Sequence, residues 1–196
     1  MKLILASNNA HKLVEIRAIL GSEFDEILSM KEAGIAHETV EDGSTFLENA
    51  EKKAREIMEI SGCCALADDS GLCVEALGGA PGVYTARYAG GDGHDFEANM
   101  DKLLHELEGC EDRRARFRSV VTLILNGQTH VFEGVLEGRI ATAKAGCGGF
   151  GYDPVFIANG MQCTLAEISE EAKNAISHRG KALRAMAAWL QEHYGK

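Results

Sequence analysis

Residues 2–13 read Lys2-Leu3-Ile4-Leu5-Ala6-Ser7-Asn8-Asn9-Ala10-His11-Lys12-Leu13. A short apolar run gives way to small polar residues, and Leu13, Ile16 and Leu20 then recur at the spacing of one helix face up to Gly21. A buried strand followed at once by a helix is the building unit of an α/β fold. The same grammar continues along the chain. Glu26 to Ser29 reads as a second strand. Thr45-Phe46-Leu47-Glu48 is a capping-box signature, in which a hydroxyl and a carboxylate satisfy the first free amides of a helix. That helix carries Phe46, Ala50, Ala54, Ile57 and Met58 on one face and ends near Gly62. Cys63 to Ala67 reads as a buried strand that runs into Asp68-Asp69-Ser70-Gly71 at its carboxyl end.

Further on, Phe96 to Leu107 has helical spacing, with Met100, Leu103, Leu104 and Leu107 inward. Arg116 to Leu125 and Gln128 to Ala141 read as antiparallel strands joined at Asn126-Gly127, a strong tight-turn signal. His178 to His193 closes the chain as a helix burying Leu183, Met186 and Leu190. No repeat, low-complexity tract or linker interrupts the pattern. The expectation is one domain over residues 1–196, of α/β class, with a mixed sheet that is parallel in part and antiparallel through the hairpin.

Composition narrows the function classes. The 196 residues include 20 Lys and Arg against 30 Asp and Glu, a net charge of −10, which disfavours a general nucleic-acid binder. A small anionic ligand needs only a few basic groups placed locally, so that class stays open. Neither Leu3 to Ala6 nor Val120 to Leu125 is long enough for a signal-peptide core or a membrane span. The six cysteines form no CxxC pair, and there is no HExxH, so no structural zinc site and no disulfide framework is expected. Buried thiols in a reducing cytoplasm, with no membrane and no nucleic acid as partner, are the expectation.

Five stretches carry candidate chemistry. The segment Ser7, Asn8, Asn9, Ala10, His11 and Lys12 lies where a strand enters a helix; the free amides and dipole of that helix, with the Lys12 charge, suit an anion, although a plain N-cap would use the same residues. Glu41-Asp42-Gly43 precedes the capped helix, and Asp68 and Asp69 stand at the end of a strand, where α/β sheets place ligands. Adjacent carboxylates repel unless a cation or hydrogen bonds hold them, and magnesium takes one or two protein carboxylates; a polar Asx-turn is the bland reading. Gly146, Gly148 and Gly151 satisfy GxGxxG, but Pro154 biases Asp153 to an extended conformation where the dinucleotide fingerprint needs a helix, so that match is rejected. Phe150 and Tyr152 would instead offer aromatic surfaces with Asp153 beside them. Finally, His178 and Arg179 fall in the first turn of the last helix, where cations oppose the dipole at a cost of a few tenths of a kcal/mol to about 1 kcal/mol that a bound anion would reverse. Lys173 joins this cluster. Arg87 suits a ligand or a partner subunit, and Arg116 with Arg118 on one strand face suit a solvated face or a subunit contact.

Taken in order, SxNxxK at 7–12, TFLENAxxKA at 45–54, ADDSGL at 67–72, GGAPGVYTARY at 78–88, GGFGYDP at 148–154 and ISHRGKAL at 176–183 resemble the inosine triphosphate pyrophosphatase family. The resemblance spans almost the whole chain. It implies an elongated two-lobed α/β fold with a central mixed sheet flanked by helices, an active-site cleft between the lobes, and a homodimer. It also implies magnesium-dependent hydrolysis of ITP, dITP and XTP to the monophosphate and pyrophosphate. By motif position, Ser7 to Lys12 would hold the phosphates, aided by Lys53. Glu41 and Asp69 would engage magnesium, Asp69 would accept the proton of the attacking water, and Asp68 would support them. Ser70 would touch the nucleotide, Phe150, Gly151, Tyr152 and Asp153 would embrace the base, and Lys173, His178 and Arg179 would complete base and phosphate recognition.

The sequence departs from the common pattern at Ser7-Asn8, where many members carry Thr-Gly, and at Tyr152, where others carry tryptophan. Two alternatives stand beside this reading. The Maf-like pyrophosphatases share the chemistry, but their early serine-proline-arginine-arginine segment is missing here. A binding module that retains nucleotide without turnover would keep the same residues and is separated from an enzyme by assay.

Overall fold

The computed structural model of the protein describes residues 1–91 and 95–195. Strand β1 (Lys2–Leu5) leads into helix α1 (Ala10–Leu20), β2 (Glu26–Ser29), α2 (Phe46–Ser61) and β3 (Cys64–Val74). Then come α3 (Phe96–Glu106), the long strands β4 (Arg114–Leu125) and β5 (Gln128–Ile140), short β6 (Phe156–Ala158), α4 (Glu170–Ile176) and α5 (His178–Tyr194). The strands form one six-stranded sheet in the order β2-β1-β3-β4-β5-β6. β1 runs parallel to both β2 and β3, with Leu3 opposite Ile27 and Cys64, whereas β5 and β6 are antiparallel. β4 and β5 are neighbours joined by two residues, a connection only antiparallel strands allow. The mixed sheet expected from the sequence is therefore present, and α1, α2, α3 and α5 are the helices the periodicity marks.

The chain divides into two compact units, each discontinuous in sequence. The first combines Met1–Asp69, Ser119–Gly134 and the carboxyl-terminal stretch from Arg179. Here the alternation of strand residues sorts the core into two layers. Leu3, Leu5 and Leu66 turn to one face, where they meet Ile16 and Leu20 of α1 and Leu183, Met186 and Leu190 of α5. Ile4, Ala65 and Ala67 turn to the other, against Ile57 and Ala54 of α2. Helices on both faces are what a buried parallel sheet requires. The reciprocal box between Thr45 and Glu48 opens α2, and its stripe Phe46, Ala50, Ala54 and Ile57 is buried, with Met58 only partly so.

The second unit combines Ser70–Arg118 and Val135–His178. Its core gathers Leu72 and Val74 of β3, Ala115 and Phe117 of β4, Leu136 and Ile140 of β5, Phe156 of β6 and Met100 and Leu103 of α3. Asp95 caps α3 by accepting from Ala98 N at 3.0 Å. Among the described residues, no helix is long and apolar enough to cross a membrane. All six cysteines are free thiols, but only Cys73 is buried and Cys147 is exposed, so the expectation of buried thiols holds for one of them.

Two local expectations are corrected, and one helix is additional. β3 does not end before the acidic pair; it continues through Asp68-Asp69-Ser70-Gly71 to Val74, because Leu72, Cys73 and Val74 are themselves buried and hold the strand in the sheet. Asp153 is not extended: it opens a 3-10 turn over Asp153–Val155, fixed by Val155 N donating to Tyr152 O at 3.0 Å and Phe150 N donating to the Asp153 carboxylate at 2.6 Å. These bonds outweigh the steric bias that a following proline exerts. Helix α4 has no counterpart in the sequence reading, since none of its residues is buried and no apolar period marks it.

The β4–β5 turn has Asn126 at φ 52° and Gly127 at φ 77°, the paired left-handed conformation of a two-residue hairpin. Replacing Gly127 with alanine should cost about 1–2 kcal/mol, the penalty of a Cβ in that region. A lower urea midpoint with unchanged slope is expected; an unchanged midpoint would show that the turn does not constrain the hairpin.

Candidate active site

The continuation of β3 determines how its two carboxylates are used. Successive strand residues face opposite sides, so Asp68 shares the side of Leu66, towards α1 and α5, and Asp69 shares the side of Ala67, towards α2. On the first side, Lys12 Nζ of α1 donates to Asp68 Oδ1 at 2.8 Å and Arg179 Nε of α5 donates to Asp68 Oδ2 at 3.0 Å. Arg179 also donates to Glu15 Oε2 at 3.3 Å. On the second side, Asn49 Nδ2 donates to Asp69 Oδ2 at 3.1 Å, and the Lys53 ammonium lies 3.8 Å from Asp69 Oδ1 and 3.2 Å from Glu41 Oε1 while donating to the Asp68 carbonyl at 2.9 Å.

These surroundings push the neighbours' proton affinities apart. Burial raises the Asp68 pKa, but Lys12, then Arg179 and Lys53, outweigh it and hold the carboxyl far below the usual aspartate range. Burial also acts on Asp69, and there it prevails: Lys53 is more distant and shared with Glu41, so the pKa ends above its ordinary value. Burial lowers the Lys12 pKa, and Asp68 is the largest influence opposing that fall. Two adjacent carboxyls driven in opposite directions are the pattern by which a site separates a permanent anion from a proton acceptor.

The loop ahead of α1 forms an ordinary N-cap as well as a cluster of donors. Asn9 Oδ1 accepts from His11 N at 3.0 Å and Lys12 N at 3.2 Å, Ser7 Oγ accepts from Asn9 N, and Asn8 Oδ1 accepts from Lys31 N. Asn8, Asn9, Ala10 and His11 are exposed, with Ser7 and Lys12 half-buried. Glu41 Oε1 and Asp69 Oδ1 both approach one ammonium, so two carboxylate oxygens from separate elements already converge on a positive charge. An all-oxygen pair of this kind fits magnesium, which completes its shell with water and phosphate oxygens. Among the described residues, no group of three or more His, Cys, Asp or Glu is arranged to hold a metal ion.

The glycine-rich loop belongs to the second unit. Phe150 is 65 % exposed and meets the Phe96 ring edge-on, with centroids 4.5 Å apart. Tyr152 corrects the expectation of a second aromatic surface: it is 2 % exposed, packed in the core, and its hydroxyl donates to Thr85 O at 2.9 Å. A large ring with a polar tip is stably buried when that tip finds an acceptor. Asp153 is likewise buried, accepting from Phe150 N and pairing with Lys173, while Gly151 sits between the two aromatics. The His178 ring stacks on Phe117 at 5.0 Å, and Ser70 is a partly buried strand residue.

The structure thus brings Lys12, Glu41, Lys53, Asp68, Asp69 and Arg179 together in the first unit, and Phe150, Asp153 and Lys173 in the second. Arg179 opens α5 beside protein carboxylates, so Asp68 and Glu15 already supply the negative charge that its placement in a first helical turn asks for. Sequence reasoning missed Glu15 and Asn49. Each lies within one helical turn of a basic residue that was singled out, three after Lys12 and four before Lys53, and that spacing was the available signal. Arg116 pairs with Glu75 at 2.8 Å, and Arg87 lies over the Tyr84 ring.

Comparison with known proteins adds a family. The Ham1 family matches residues 3–189. A protein of Leuconostoc mesenteroides named dITP/XTP pyrophosphatase is 47 % identical, the match covering 97 % of this chain and 99 % of that protein. One of the same name from Geobacter sulfurreducens is 48 % identical, covering 99 % and 96 %. Among solved structures, the Ham1 protein of Staphylococcus aureus superposes with a TM-score of 0.91 at 39 % identity, covering 98 % of this chain and 99 % of that one.

Replacing Asp68 with asparagine would leave Lys12 and Arg179 without their shared anion, and removing one partner of a buried ion pair costs about 3–5 kcal/mol. Folding lowers the Asp68 pKa, so this contribution is complete above the ordinary value of 3.8 and is lost progressively as pH falls below it. Urea unfolding of both proteins should therefore show a wide stability gap at pH 7 that narrows below about pH 4. A gap independent of pH would refute the ion-pair account.

Proposed function

Because the chain belongs to the Ham1 family, we propose that it hydrolyses non-standard purine nucleoside triphosphates (ITP, dITP and XTP) to the monophosphate and pyrophosphate, removing them before they enter nucleic acid. The observation that carries this reading is the convergence of Glu41 and Asp69 on the Lys53 ammonium on one side of β3, with Asp68 held by Lys12 and Arg179 on the other.

Asp69 acts as the proton acceptor. A carboxyl whose pKa is lifted by burial is a better base near neutrality than an exposed aspartate. It takes a proton from a water whose oxygen adds to the α-phosphorus, while the bond from that phosphorus to the bridging oxygen breaks and pyrophosphate leaves. Asp68 remains an anion throughout and keeps Lys12 oriented at the amino end of α1, where Ser7 to Lys12 receive the phosphates; Lys53 adds a second charge. Glu41 and Asp69 are the residues that would hold magnesium, which when bound offsets charge on the phosphate oxygens. Phe150 supplies an exposed face for the purine. Lys173, His178 and Arg179 complete base and phosphate recognition; in a pocket lined by donors to a 6-oxygen, the adenine amino group would meet donor with donor, an unpaired polar cost that discriminates strongly. Ser70 completes the nucleotide contacts. Dimeric assembly and cytoplasmic residence belong to the same reading, supported by the family resemblance.

Pyrophosphate release from ITP, XTP, dITP and ATP tests the proposal. We expect turnover of the first three but not ATP, abolished by chelation and restored by magnesium, with Asp69→Asn lowering kcat by roughly 10²–10⁴-fold. Release of orthophosphate instead, or equal turnover of ATP, would overturn it.

A further inference from the structure

We propose that Asn49 is a positioning residue for this reaction: its buried amide ties the Asp69 carboxylate to the loop that carries Glu41. The inference rests on the hydrolytic reading above and adds a residue to the same site. Asn49 is 2 % exposed and sits in the first turns of α2, four residues before Lys53. Asparagine is a poor choice for a helix interior, because its amide competes for backbone partners. Here both ends of the amide are engaged across elements rather than within the helix. Gly43 N donates to Asn49 Oδ1 at 2.8 Å, and Asn49 Nδ2 donates to Asp69 Oδ2 at 3.1 Å. The orientation is decided by chemistry: a backbone N–H can only donate and a carboxylate can only accept, so the amide fits one way round.

The far end of the clamp is shaped to receive it. A Cβ at Gly43 would stand 2.6 Å from Asn49 Oδ1 and 2.8 Å from Glu48 Cβ, so only glycine lets the backbone amide come this close. The capping box at Thr45 and Glu48 sets where α2 begins, and hence that Asn49 and Lys53 face β3 together. One Asp69 oxygen is therefore tied to Asn49, and the other lies on the side of Lys53 and Glu41. Glu41 is two residues from Gly43, so the same amide that contacts Asp69 anchors the loop that carries the second carboxylate.

A merely structural Asn49 would serve only to satisfy the half-buried Gly43 N–H. Two substitutions separate the roles. Asn49→Ala removes both bonds; Asn49→Asp keeps size and an acceptor for Gly43 but replaces the donor to Asp69 with an oxygen, with Lys53 one turn on to offset the charge. Kinetics with ITP should show kcat reduced about 10–100-fold in both, with KM within about twofold, and binding of Mn²⁺ to the nucleotide-free alanine variant, followed by electron paramagnetic resonance, weakened about tenfold or more. Should the alanine variant not fold, the aspartate variant carries the kinetic measurement, where kcat within twofold of the parent overturns the inference. Parent turnover reports on the hydrolytic reading by itself, whereas the variant-to-parent ratios and the nucleotide-free Mn²⁺ affinity report on Asn49. Folded variants that keep kcat and Mn²⁺ affinity within twofold of the parent would overturn the inference.

Discussion

The chemistry of the first unit depends on the two-residue period of a strand. β3 stays extended through Asp68 and Asp69, so the two side chains leave opposite faces of the sheet. Had the strand ended before them, a turn could have aimed both acids at the same cations, and their mutual repulsion would have governed their proton affinities. Instead each meets its own surroundings. Asp68 is closed in by Lys12 and Arg179 from α1 and α5, whereas Asp69 meets Asn49 and the shared ammonium of Lys53 from α2.

That division assigns work to the flanking helices. α1 and α5 pack on one face through Ile16, Leu20, Leu183, Met186 and Leu190, and this apolar contact brings Lys12, Glu15 and Arg179 to Asp68. α2 packs on the other through Ala54 and Ile57, and its cap sets the rotation that turns Asn49 and Lys53 towards the strand. The hydrophobic stripe and the polar residues share the same helix register, so the core and the site are specified together. Burial then does electrostatic work: where cations are close it is overcome, and where they are distant it raises the pKa.

Much of this was legible in advance for a physical reason. Apolar periodicity and caps are local, so the strand-helix order, the capping box at Thr45 and the Asn126-Gly127 hairpin could be read directly, and the residues of six dispersed motifs identified the family. The reading failed where local signals conflict with distant contacts. The polar letters of Asp68-Asp69-Ser70-Gly71 look like a turn until Leu72 and Val74 are seen to be buried beyond them. Tyr152 looked like a ligand surface, yet Thr85 O, far along the chain, accepts its hydroxyl and it lies in the core. The short helix α4 buries nothing and left no period to read.

The class of fold, the order of its elements and the positions of the charged residues at strand and helix ends are legible along the chain, because they follow from nearest-neighbour sterics, capping and residue type. How those residues are paired follows from packing. Asp68 and Asp69 are consecutive and chemically identical, and their opposite fates depend on which helix covers which face of β3. The same holds for Asn49, an unremarked amide in the sequence, which becomes a bridge between Gly43 and Asp69 only when α2 docks on the sheet. Contacts between residues distant in the chain are set by packing, and no local pattern encodes them.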